Sequence, residues 1–184
     1  MDDALLLLAA DPQGARLPLE EAKRLATLAV ELGRSAARQF REKGPADPEA
    51  LADQLGVAVR RERSRGARWA WLSVYDGTIT LYPERIAALA LEAGLQPQAL
   101  EAACIAHEIF HHLEKTELGP TSRRWPVTYL RLGPWRWQRG VGALREIAAH
   151  SFAQEYLQLA WWPGNLGRND GRGGMIGARV TGNL

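Results

Sequence analysis

Cysteine is nearly absent from this 184-residue chain. Cys104 stands alone, which excludes an internal disulfide framework and a cysteine-rich zinc cluster. Long apolar runs are also missing: nothing approaches membrane-spanning length. The first residues, MDDALLLLAADPQGAR, open on two aspartates rather than a basic stretch and lack a signal-peptide cleavage pattern. Together these absences predict a soluble, cytoplasmic protein with no membrane partner. No internal repeat and no interdomain linker is visible, and 46% hydrophobic content suffices for one domain with a real core.

What is present is unevenly distributed. The formal net charge is only +2, yet residues 1–122 carry 14 basic against 18 acidic side chains, and residues 123–184 carry 9 against 3. This basic third is spread through a Trp/Arg-rich segment and a Gly/Arg tail. That spread favours a solvated loop and tail over a nucleic-acid surface, although DNA or an acidic partner remains a rival reading. Five of the seven tryptophans fall between Trp125 and Trp162. They either clamp a loop onto the core, the favoured reading, or rim a substrate cleft.

Helical periodicity predicts a short N-terminal helix ending at Asp11-Pro12, then a long one from Pro18 to about Lys43 with Leu25, Leu28, Ala29, Leu32, Ala36 and Phe40 on one stripe. Asp47-Pro48-Glu49 reads as an N-cap with proline at the first helical position. Val57–Glu62 alternates like a strand, and RWAWLSVY and TITLYP flank Asp76-Gly77, a two-residue hairpin signal. The short connections predict an antiparallel sheet of about three strands. A helix capped by Gly94 follows, and another runs from Pro97 to about Glu117. Residues 120–140 read as a loop with at most a short strand at VTYLRL, and a last helix spans about Val141 to Trp161. The class is α+β, divided as N-terminal helices (1–46), a main domain (47–163) and a flexible tail (164–184).

The helix from Pro97 spells H-E-x-x-H with His107, Glu108 and His111. Residues four apart share a helix face, so two imidazoles can aim at one point about 2 Å from each. Glu108 lies about 100° around the axis, where it can act as general base on a water activated by the metal. The motif arises by chance about once in a few hundred chains of this size, but LEAACIA before it predicts a buried helix. Two histidines and a glutamate there are costly unless something satisfies them. Cys104, one turn earlier, reads as packing. His112 points elsewhere, to a cleft or to the surface. A hydrolytic zinc has three protein ligands; Glu146 and His150, one turn apart on the last helix, are both able to supply the third, and the residues alone leave that choice open.

The order of segments, the HExxH stretch and the pattern E-x-x-A-x-x-F-A at Glu146, Ala149, Phe152 and Ala153 resemble the ImmA/IrrE family of zinc metallopeptidases over about Asp47 to Pro163. The resemblance implies a zincin-like domain binding Zn2+ through His107, His111 and Glu146, with Glu108 as catalytic acid/base. It implies a protein substrate, in several family members a helix-turn-helix repressor. Position 150, often asparagine in the family, is histidine here, and the Trp/Arg-rich segment and the tail fall outside its pattern. A second oxyanion donor is expected among His112, Tyr129, His150 and Tyr156. The competing class is a non-catalytic zinc-binding sensor or a protein- or DNA-interaction module.

Overall fold

The computed structural model describes residues 2–63, 70–73 and 76–166. Residues 167–184, most of the expected tail, lie outside it, as do Trp69 and Tyr75. The chain is mostly helical with a small sheet. Helix α1 (Asp2–Ala10) precedes α2 (Leu19–Lys43), and α3 (Pro48–Gln54) starts where Asp47 caps it, its carboxylate accepting the Ala50 N–H at 3.1 Å. Strands β1 (Val59–Arg61), β2 (Ala70–Leu72) and β3 (Ile79–Leu81) follow. Then come α4 (Pro83–Ala93) and α5 (Pro97–Thr116), separated by Gly94, whose φ of 64° makes the left-handed cap that a Cβ would strain. A single-turn helix α6 (Thr121–Arg124), strands β4 (Val127–Leu132) and β5 (Trp135–Arg139), α7 (Ala143–Leu157) and a 3-10 turn at Pro163–Asn165 complete the described chain.

The sheet corrects the antiparallel expectation. Its order is β1-β3-β2, with β2 antiparallel to β3 but β1 parallel to it. Short connections argue against parallel crossovers only between strands consecutive in the chain. Here the parallel partners are β1 and β3, and β2 itself fills the connection between them, which exceeds the dozen or so residues a crossover needs. The β2–β3 turn is also wider than two residues, since the Ser73 N–H bonds the Thr78 carbonyl at 2.8 Å and Asp76-Gly77 lie inside it.

Within residues 120–140 the strand at VTYLRL is present as β4, and the correction concerns the rest of the loop, which holds its partner β5. Strands β4 and β5 form an antiparallel ribbon turning at Gly133-Pro134, where Gly133 has a φ of 57°. The aromatic clamp reading holds for Trp125, Trp161 and Trp162, which pack against the core. Trp135 and Trp137 on the ribbon are 70% and 42% exposed and clamp nothing.

The core is built around α7. Helix α2 lies along one side of it and α5 along another, so α7 is buried on both flanks. Close approach of α2 requires Gly33: a Cβ there would stand 2.1 Å from the Ala148 carbonyl oxygen. The last helix is shorter at both ends than its apolar pattern suggested, closing at Gln158 with a φ of 53°. Among the described residues no helix is long and apolar enough to cross a membrane.

Candidate metal centre

Helix α5 is buried along most of its second half, and His107 and His111 are fully inaccessible. The i, i+4 spacing places their Nε2 atoms 3.1 Å apart. Helix α7 brings in Glu146, whose Oε2 lies 3.4 Å from His107 Nε2 and whose Oε1 lies 3.6 Å from His111 Nε2. These three residues form a buried group able to hold a metal ion. Donors each about 2.0–2.2 Å from one tetrahedral ion stand roughly 3.3–3.5 Å from one another. The observed separations of 3.1, 3.4 and 3.6 Å, with a different carboxylate oxygen facing each ring, bracket that edge length.

Electrostatics point the same way. Burial opposes charge on both partners, yet the Glu146 and Glu114 carboxylates pull the His111 ring up to about 9. Burial likewise opposes the Glu146 carboxylate, and His111 and His107 hold it well below the usual range. A proton on His111 therefore occupies the place that a cation would take. Glu146 Oε2 is buried without a hydrogen bond, as is His107 Nδ1. An ion at the donor point would partner the Glu146 oxygen, whereas His107 Nδ1 lies on the far side of its ring from the Nε2 that faces that point.

Glu108, 1% exposed, directly follows His107 on α5. Its Oε2 accepts the Leu72 N–H from strand β2 at 3.2 Å. His150 lies outside the donor group. Its ring packs on His107 with centroids 4.5 Å apart and on Trp162 at 5.3 Å, and burial, reinforced by His107, holds it well below an ordinary histidine, so it is neutral. Cys104 is buried and its thiol is pushed up by burial and by Glu108, consistent with packing.

The remaining expected donors divide. His112 is half-buried, and no described contact joins it to the three donors; burial and Lys115 lower it. Tyr129 sits in β4, its side chain outside those described. Tyr156 has its polar groups engaged elsewhere. Its hydroxyl donates to the Pro45 carbonyl, its ring stacks on Phe152 at 5.5 Å, and its own carbonyl accepts from Arg41. It ties α7 to the α2–α3 link and is committed there.

Sequence reasoning missed Glu114, Arg145 and Leu72. Glu114 Oε2 accepts from His111 Nδ1 at 2.9 Å and from Arg145 Nε at 3.2 Å, while its Oε1 accepts the Thr121 N–H at 2.9 Å. An i, i+3 spacing from His111 was the available signal for Glu114. Arg145 adjoins Glu146 in sequence, but nothing local marks it. Leu72 acts through its backbone, which no side-chain pattern reveals.

Comparison with protein-family models, with curated proteins and with solved structures yields no match to this chain.

Proposed function

We propose that the protein is a zinc-dependent metalloendopeptidase of the ImmA/IrrE kind, acting on a protein substrate. The observation that carries this reading is the buried His107–His111–Glu146 group, its donors 3.1–3.6 Å apart, with Glu108 next to His107 in the chain and bonded to Leu72. Two imidazoles and one carboxylate are the donor set of a catalytic zinc site, which leaves one position open. Zinc held there supplies Lewis acidity toward a scissile carbonyl and an attacking water.

The chain's own residues account for the proton transfers. The Leu72 N–H fixes one oxygen of Glu108, leaving Oε1 to accept the proton of the attacking water. Glu108 then returns that proton to the leaving amine nitrogen, which breaks the peptide bond without releasing a free amide anion. Strand β2 is a sheet edge, and the outward backbone groups of Ala70 and the Leu72 carbonyl suit an extended peptide laid alongside. The substrate class follows from the family resemblance, and a helix-turn-helix repressor is the candidate.

The Glu108–Leu72 bond also favours a second reading, a non-catalytic zinc module in which Glu108 merely ties helix to sheet. The test is metal analysis of the purified protein together with Glu108→Gln, assayed on a co-expressed helix-turn-helix repressor and on a generic unfolded protein. Near-stoichiometric zinc with cleavage abolished in the variant supports the peptidase. Cleavage undiminished in Glu108→Gln removes the assigned mechanism, and zinc with no cleavage by wild type of either substrate favours the module.

A further inference from the structure

We propose that Glu114 is the positioning residue of the metal centre, the carboxylate that sets the tautomer and orientation of His111. The inference rests on the metal reading above and adds to it a residue that the HExxH motif does not contain.

Glu114 is 6% exposed, an unusual position for a carboxylate unless its oxygens are satisfied. Both are. Oε2 faces His111 Nδ1 at 2.9 Å and Arg145 Nε at 3.2 Å, and Oε1 receives the Thr121 N–H at 2.9 Å. Arg145 also places a terminal nitrogen 3.1 Å from His111 Nδ1, and that atom cannot accept from Arg145 while donating to Glu114. The carboxylate decides the choice. An acceptor-only oxygen at 2.9 Å requires the proton on Nδ1, since a bare Nδ1 would set two lone pairs against each other. With Nδ1–H committed to Glu114, the Nε2 lone pair is left for an ion beside His107 and Glu146.

The geometry also says what holds Glu114 still. It lies one turn beyond His111 on the same helix, so the spacing of the pair is fixed by α5 itself. Thr121 anchors it from the start of α6, the segment that leads into the β4–β5 ribbon. Arg145 anchors it from α7, one residue before the ligand Glu146, with Nε 3.9 Å from Glu146 Oε1. The Glu114–Arg145 pair therefore ties the two ligand-bearing helices together behind the metal point. His107 has no equivalent, because its Nδ1 is buried without a hydrogen bond. One ligand is braced and the other is held by packing against His150.

Carboxylate partners of metal-bound histidines raise ligand basicity, and losing one typically costs about 10–100-fold in metal affinity. The test is competition of Zn2+ against a chromophoric chelator for wild type and Glu114→Gln, with the visible spectrum of the Co2+-substituted protein and the melting temperature of the metal-stripped form alongside. The expected result is a loss of about 10–100-fold in Zn2+ affinity and a shifted Co2+ absorption band. Wild-type affinity and spectrum in Glu114→Gln overturn the proposal, even with a lowered melting temperature, because that pattern describes a purely structural contact. Should the glutamine variant not fold, Glu114→Asp, which keeps the charge but withdraws it by one methylene, carries the same expectation. Wild type that binds no metal overturns the metal reading and this proposal together; wild type that binds metal, with both variants unchanged, overturns only this one.

Discussion

The Glu108 carboxylate on α5 accepts the Leu72 backbone N–H of β2 at 3.2 Å. The direction of that N–H follows from strand pairing. Ser73 bonds β3 through its own N–H to Thr78, so Leu72, one residue earlier in an antiparallel pair, points its N–H away from β3 and toward the helix. The sheet edge and the candidate general base are thus coupled by one bond.

That bond separates two substitutions. Glu108→Gln keeps an acceptor for the Leu72 N–H, so its melting temperature should stay within a degree or two of wild type while turnover falls about 10²–10⁴-fold. Glu108→Ala removes the acceptor and leaves a buried donor unpaired, which costs about 1–3 kcal/mol in addition. Thermal unfolding beside an activity assay distinguishes the two; equal melting temperatures would show that the bond contributes nothing to stability.

The third ligand gives the next prediction. Glu146→Ala removes a donor within 3.4–3.6 Å of both imidazoles and should abolish stoichiometric metal binding. His150→Ala opens space behind His107 without removing a member of the donor group, so metal content should be largely retained. Metal analysis after dialysis against a weak chelator reads both. Retention in Glu146→Ala with loss in His150→Ala would reverse the assignment.

The site was more legible in the sequence than the sheet was. His107, Glu108 and His111 are bound by helical spacing, a local rule, and burial of their helix follows from the apolar residues before them. Glu146 lies on another helix; the residues alone offered it beside His150, and only the pairing of two motifs singled it out. Strand order escaped because β1–β3 pairing is a long-range choice that no alternation pattern encodes. Of the β4–β5 ribbon only the VTYLRL strand was visible; β5 and the pairing escaped because prolines and arginines mask them, and the exposed Trp135 and Trp137 give the ribbon no buried face to announce. The Tyr156–Pro45 bond escaped for a related reason: its two partners are remote in the chain.

The metal reading also predicts a pH dependence that runs through His111. In the metal-stripped protein its ring is pulled up to about 9 against an ordinary 6.5, so the stabilisation from its proton is complete below 6.5 and is lost as pH rises through 9. The melting temperature of the stripped form should therefore fall between those limits. Zinc displaces the same proton, so loading at pH 7–8 should release about one proton, readable by calorimetry in buffers of different ionisation enthalpy. Release near zero would place the proton elsewhere.

Gly33 tests whether the framework sets the site. A methyl group at that position would meet the Ala148 carbonyl oxygen at 2.1 Å and the Phe152 nitrogen at 2.9 Å, both backbone atoms that cannot swing aside as a side chain would. Gly33→Ala must push α2 and α7 apart, at a cost of about 1–3 kcal/mol, which lowers the melting temperature by about 2–12 °C for a chain of this size. Ala148 is two residues from Glu146, so a displaced α7 also misplaces the third donor. The predicted signature is a loss in both readings: a lower melting temperature in chelator and a smaller stabilisation by added zinc than wild type shows. A variant that melts early yet gains the full zinc increment would mean that α7 moves as a rigid unit with α5, and that the α2 contact serves stability alone.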